Sequence, residues 1–228
     1  MAQVILGFDT ATPDTAVAAT GAGDAAEVLL PPREDGRPAH GVVLLAAIED
    51  VVERSGGWSE VGMIAVGVGP GSFTGLRIGV ATARALAQAR NLPLAGVAST
   101  SALLAGLAEA DAAAGRSRLA VIDARRGEVF AALDTGEGPS EPRVCAPDEL
   151  GRTFGPDLLR GALAAGDGSV RFQAEIEAFG VEVLDASDPA HRLSARHVCT
   201  IGAGTEPGPP ELVTPNYLRR PDARRWDG

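Results

Sequence analysis

The chain has 228 residues, 45% of them apolar and 4% aromatic, with 30 acidic residues against 20 basic ones and a formal net charge of −10. Every basic residue is arginine and none is lysine, which excludes a lysine Schiff base and the P-loop lysine of a G-x-x-x-x-G-K-[ST] NTPase. The acidic balance argues against independent binding to nucleic-acid phosphates, and the length suits one large domain or two small ones with a core of Ala, Val, Leu and Ile.

Cys145 and Cys199 are too few for a disulfide framework, and no C-x-x-C occurs. The first eight residues lack the basic region and cleavage site of a signal peptide. The apolar run at 42–48 falls far short of the roughly 18 residues that span a bilayer. A soluble, cytoplasmic protein without membrane contact is the expectation.

In chain order, residues 4–8 read as a strand ending at Asp9-Thr10, and 15–19 and 25–30 as two more. A helix is expected at about 40–54, a buried strand at 63–68, a tight loop at 69–75, a helix at 76–90 and a short strand at 94–98. The order then recurs. Strands are expected at 119–122, ending at Asp123, at 128–133 and at 143–145, followed by a short helix at 147–152. Residues 162–165 run into Gly166-Asp167-Gly168-Ser169, then a helical stretch at 170–179, a strand at 181–184 and a last helix at about 190–201. Duplicated βββαβαβ halves, each opening on a strand that ends in Asp, predict a two-lobed α/β fold of the actin/Hsp70/sugar-kinase type. The expected lobes are 1–98, with the partner-binding helices, and 99–228, with the tail.

The loop Gly69-Pro70-Gly71-Ser72-Phe73-Thr74-Gly75-Leu76-Arg77 and its flanks from Met63 onward resemble the signature of the bacterial TsaB (YeaZ) family. Similar segments are Ile5-Leu-Gly-Phe-Asp-Thr-Ala-Thr, Val121-Ile-Asp-Ala-Arg-Arg-Gly-Glu-Val-Phe and Thr214-Pro-Asn-Tyr-Leu-Arg, in family order. The likeness is weak between about 134 and 210. The resemblance implies a role in forming N6-threonylcarbamoyladenosine at position 37 of tRNAs that read codons starting with A. It implies a non-catalytic subunit beside the paralogue TsaD, which holds the metal and transfers the group, with the P-loop ATPase TsaE joining the complex.

The residues themselves are consistent with delegated catalysis. His40, His191 and His197 have no pair closer than six residues, which misses the spacing that puts two metal ligands on one helix face. No catalytic residue and no metal ligand is assigned. Asp9 and Asp123 leave two readings. They hold a Mg²⁺-nucleotide across a cleft, with Thr10, Gly69, Gly71 and Ser72 as a weak nucleotide site, or they accept backbone N–H groups in the turns that follow their strands. The 69–75 loop is read chiefly as a tight turn with Ser72 or Thr74 as helix cap, Phe73 filling the space between strand and helix. Ser72 has no base partner for hydrolase chemistry. No tightly bound cofactor is expected; Mg-ATP or ADP is expected only at the level of the complex.

Two helices carry more apolar surface than one sheet can bury. Residues 42–48 are apolar without a break, and in the second helix Gly79, Ala83 and Ala87, and separately Ala81, Ala85 and Ala89, recur at i+4. One reading buries this surface within the chain; the sharper one predicts a helical bundle with a partner or a second copy. The interface residues expected on that reading are His40, Val43, Leu44, Ala47, Ile48, Phe73, Leu76, Val80 and Ala83, with Arg77 and Arg84 on the rim.

Arg125-Arg126 is placed in a hairpin turn, and Arg219, Arg220, Arg224 and Arg225 crowd the end beside Tyr217 and Trp226. An arginine-rich tail can touch RNA or an acidic partner; here Tyr217-Leu218 packing back on the fold is preferred, with tRNA reached through the complex. Two further readings stay open: an autonomous ATP-dependent phosphotransferase using Asp9 and Asp123, and a homodimeric regulator with no enzyme partner.

Overall fold

A computed structural model of the chain describes residues 3–21 and 25–219, so Arg220, Arg224, Arg225 and Trp226 lie outside the described residues. The first half builds β1 (Val4–Asp9), β2 (Thr15–Thr20), β3 (Ala26–Leu30), α1 (His40–Arg54), β4 (Val61–Gly69), α2 (Phe73–Arg90) and β5 (Leu94–Ala98). Their sheet runs β3-β2-β1-β4-β5, with β1–β2 and β2–β3 antiparallel and β1–β4 and β4–β5 parallel.

The second half repeats that wiring. After α3 (Ser99–Ala108) come β6 (Arg118–Arg125), β7 (Glu128–Asp134), β8 (Arg143–Cys145), α4 (Leu150–Phe154), α5 (Pro156–Leu159), β9 (Leu163–Ala165), α6 (Asp167–Arg171), α7 (Gln173–Glu177), β10 (Glu182–Val183) and α8 (Ala195–Ala203). The order β10-β9-β6-β7-β8 mirrors the first sheet, again with two antiparallel and two parallel pairings. This is the duplicated, two-lobed α/β fold of the actin/Hsp70/sugar-kinase type.

Strand alternation sorts the layers. Leu6, Phe8, Val17, Ile64 and Val66 pack with Leu44, Ile48 and Val80 under α1 and α2. Ala16, Ala18 and Ala65 pack on the opposite face with Val198 and Cys199 of α8. Gly7 belongs to that second face: a Cβ there would lie 2.5 Å from Cys199 Sγ, so the glycine lets α8 settle close to the sheet. On the second sheet, Ala120, Ile122, Phe130 and Ala132 pack against Leu103 and Leu104 of α3. Leu119, Val121, Val129 and Ala131 face Leu150, Leu159 and Ile176 on the outside. Helices α3 and α8 are thus the inner layer between the two sheets.

Four expectations about single elements are corrected. Helix α3 was not predicted; with Ala102, Leu103, Leu104 and Leu107 buried together it has no wide polar face to betray a helix period. Helix α2 starts at Phe73 rather than Leu76. The stretch 170–179 is two short helices broken at Phe172 (φ −116°, ψ 35°), and the last helix begins at Ala195, after a 3-10 turn at Pro189–His191. A cut at residue 98 separates the strands of the two sheets but not the layers, since α8 packs on the first sheet and Gly208 bridges to Leu94 of β5.

Candidate docking face and interlobe cleft

Helix α1 buries Leu44, Ala47, Ile48, Val51 and Val52, the i, i+3, i+4, i+7, i+8 stripe of a helix lying on a sheet. Because the apolar run is unbroken, the remaining directions are apolar as well. Val42 is 70% exposed and Leu45 59% exposed, with Ala46 exposed beside them. One turn further on, the outward residues become Glu49, Asp50 and then Glu53.

Helix α2 divides its small residues the same way. Gly75, Gly79, Ala83 and Ala87 face the sheet with Leu76 and Val80, and Ala81, Ala85 and Ala89 face outward. A Cβ on Gly75 or Gly79 would collide with Thr10, at its carbonyl or its hydroxyl, while the Thr10 hydroxyl donates to the Gly75 carbonyl at 2.8 Å. Those glycines bring α2 down onto the end of β1. The two helices meet where Gly41 adjoins Ile78. Together they present an apolar patch of Val42, Leu45, Ala46, Ala81 and Ala85.

The expected anchors are therefore corrected. Leu44, Ala47, Ile48, Leu76, Val80 and Ala83 are buried in this chain's own core because the sheet claims the strongest apolar stripe of each helix. His40 is buried too, its Nδ1 2.8 Å from the Thr15 hydroxyl, and burial lowers its pKa. Val43 is half-buried, Arg77 is exposed and half-buried Arg84 borders a cavity of about 530 Å³ at the C-terminal end of α2. Phe73 does not fill the space between strand and helix. It stacks on Tyr217 with ring centroids 4.9 Å apart and lies under the Arg77 guanidinium at 3.9 Å.

The cleft holds a cavity of about 340 Å³ whose walls include Thr12, Gly71, Ser72, Asp123, Arg125 and Asp167. Asp9, Thr10 and Gly69 are not among its walls. The Asp9 carboxylate is sealed below, accepting the Ala11 N–H at 2.6 Å and the Ser99 hydroxyl at 2.6 Å, over Gly67, where a Cβ would overlap it. Burial pushes its pKa up to about 6, against the opposing pull of those hydrogen bonds. Ser72 caps α2 by accepting the Gly75 N–H at 3.3 Å.

Asp123 does face the cavity, but its charge is taken by Arg171 at 2.7 Å and Arg125 at 3.1 Å, and its Oδ1 accepts the Arg125 N–H. Asp167 accepts the Asp123 N–H at 3.0 Å, and burial raises its pKa. The weak nucleotide site is thus split: Gly71, Ser72 and Asp123 line the cavity, and Asp9, Thr10 and Gly69 do not. Each carboxylate accepts a backbone N–H of the turn that follows its strand.

The three histidines sit in three separate places. His191 bonds the backbone of Gly166 and Leu184, and His197 lies 3.7 Å from Glu109 with its pKa lowered by burial. Among the described residues, no three His, Cys, Asp or Glu side chains are grouped to hold a metal ion. Cys199 is buried and its thiol is pushed up to about 12, far from the thiolate a nucleophile needs. Sequence reasoning missed Ser99, which lies in the unpredicted helix, and Arg171, whose role depends on the fold bringing it to Asp123.

The family described as TsaD, tRNA N6-adenosine threonylcarbamoyltransferase, matches residues 32–139. An Escherichia coli protein named tRNA threonylcarbamoyladenosine biosynthesis protein TsaB is 39% identical over 129 residues, 55% of this chain and 52% of that protein. The aligned stretch thus spans about half the length of that relative. An uncharacterized protein of Mycobacterium tuberculosis is 32% identical over 79% of this chain and 74% of its own. The solved structure of YeaZ from Pseudomonas aeruginosa superposes with a TM-score of 0.74 at 25% identity, covering 93% of this chain and all of that one. This chain belongs to the TsaB (YeaZ) family. Among the described residues of this family member, no helix is long and apolar enough to cross a membrane.

Proposed function

We propose that the chain is a non-catalytic subunit of a cytoplasmic complex that forms N6-threonylcarbamoyladenosine in tRNA, and that it docks a TsaD-like transferase on the outward face of α1 and α2. One observation carries the docking reading: the outer layer of the first lobe leaves Val42 and Leu45 more than half exposed, next to a row of exposed alanines on α2. Exposed alanines let a partner helix approach closely, and branched aliphatics give it anchors. A specific interface buries about 1,600 Å² in total, so the patch would form the centre of a larger footprint, with Arg77 and Glu49 at its rim. The name of the E. coli relative and the match to the TsaD family support the pathway.

In this reading the transferase supplies the metal and the group-transfer chemistry, a TsaE-like ATPase supplies nucleotide turnover, and tRNA is met through the complex. A homodimer of the isolated chain would use the same apolar face. The phosphotransferase reading is weakened by the burial of Asp9 and the pairing of Asp123 with two arginines. Reconstitution tests the proposal. Modified adenosine should form on tRNA only when this chain is added to the transferase and ATPase, and the chain alone should not turn over Mg-ATP. Modification at an equal rate without the chain would overturn it.

A further inference from the structure

The segment after α8 is more than a trailing end. Gly208 donates to the Leu94 carbonyl at 3.1 Å at the edge of the first sheet, and the Asn216 N–H donates to the Val68 carbonyl of β4 at 2.7 Å. Val213 packs on the first lobe's core. Tyr217 stacks on Phe73 and accepts a hydrogen bond from Arg77 Nε at 3.2 Å. One residue on, the chain has reached the other lobe. Leu218 packs on the cluster of Ile122 and Phe130, and Arg219 donates to the Ala124 carbonyl at 3.0 Å and pairs with Glu128 at 3.2 Å. Residues 216–219 also form part of the cavity wall between the lobes.

We propose that residues 213–219 are a strap that ties the two lobes across the interlobe cavity and fixes the opening of the cleft. The inner helices α3 and α8 join the lobes through packing between the sheets. The strap adds a second attachment with two kinds of grip: a main-chain bond and an aromatic stack on the first lobe, and an aliphatic side chain with an arginine on the second. Its first-lobe grip includes Arg77 on α2, so release of the strap also removes one partner from a side chain at the rim of the exposed helical face. Two attachments at separate places suppress a hinge that one attachment would permit. The inference does not depend on the pathway proposed above.

The test uses the full chain, with Leu218→Asp to break the second-lobe grip and Tyr217→Ala to break the first-lobe grip. Hydrogen exchange at the Asn216 amide reports whether the strap is seated. Spin labels on cysteines introduced by Glu53→Cys in α1 and Glu175→Cys in α7, both exposed positions, report the distance between lobes, with labelled chain diluted in unlabelled chain. The expected result in each variant is Asn216 exchange faster by about tenfold, a broader and longer interlobe distance distribution, and unchanged exchange at Phe130 and Val66. An Asn216 amide that is freed while the interlobe distances stay put would make the strap a passenger and overturn the proposal. Unchanged Asn216 protection in both variants would overturn it as well, since these side chains would then not hold the segment.

Discussion

A buried carboxyl under the cleft carries a pH signature. Asp9 titrates near 6 in the folded chain against an ordinary 3.8, so burial penalises its ionised form. Its stabilising contribution is complete below pH 4 and is lost as the pH rises through about 6. The shift corresponds to about 3 kcal/mol at most. Asp9→Asn keeps an acceptor for the Ala11 N–H without a charge to bury. Its stability relative to the parent, measured by urea unfolding, should therefore improve by about 2 kcal/mol between pH 4.5 and 7.5. A difference that stays flat over that range would show that burial does not raise the Asp9 pKa in the folded chain. The sequence placed Asp9 at the end of its strand and offered the turn-forming role among two. What it did not show was Ser99, ninety residues away, because its partnership with Asp9 is made by the return of the chain after β5.

Helix α2 shows what a pattern of small residues can and cannot reveal. Two i+4 rows were visible in the sequence, but which row met the sheet was not, since both are built from side chains too small to differ in hydrophobic drive. Thr10 decides it, by sitting where any side chain on Gly75 or Gly79 would go. Gly79→Ala should destabilise the chain by about 2 kcal/mol in thermal or urea unfolding through overpacking, and Ala81→Gly, on the exposed row, by about 1 kcal/mol through helix propensity alone. Equal costs would mean that α2 does not pack as closely as drawn. The outward face makes the opposite prediction. Leu45→Asp should leave stability within about 0.5 kcal/mol of the parent, whereas Val80→Asp, buried under α2, should unfold the chain. The span of α1 was legible to the residue; the direction of its faces was not, because an unbroken apolar run contains no polar marker until Glu49.

At the scale of the molecule, the duplication was readable from the element order, and the two sheets carry it strand for strand. The inner layer was not readable. Helix α3 has no polar residue beyond its first turn, and α8 comes from the second half yet packs on the first sheet. That exchange makes the lobes interdependent. Arg192 reinforces it, gripping the Asp14 carboxylate with both arms at 2.7 and 2.9 Å. Unfolding should consequently be a single transition, with calorimetric and van't Hoff enthalpies equal. Leu104→Ala, in the layer between the sheets, should lower that one midpoint, at a cost of about 2–5 kcal/mol. Two separable transitions would contradict the layering.

The proposed docking of a TsaD-like transferase on the exposed apolar face of α1 and α2 is open to one decisive measurement. It is tested most directly by mixing the purified chain with that transferase and reading mass by light scattering, for the parent and for Leu45→Asp. Docking on this face predicts a stable heterodimer with the parent chain and separate monomers with the variant, whose fold is intact by circular dichroism. A heterodimer that survives Leu45→Asp would contradict the assignment of the face, and a parent chain that ignores the transferase would contradict the proposed function itself.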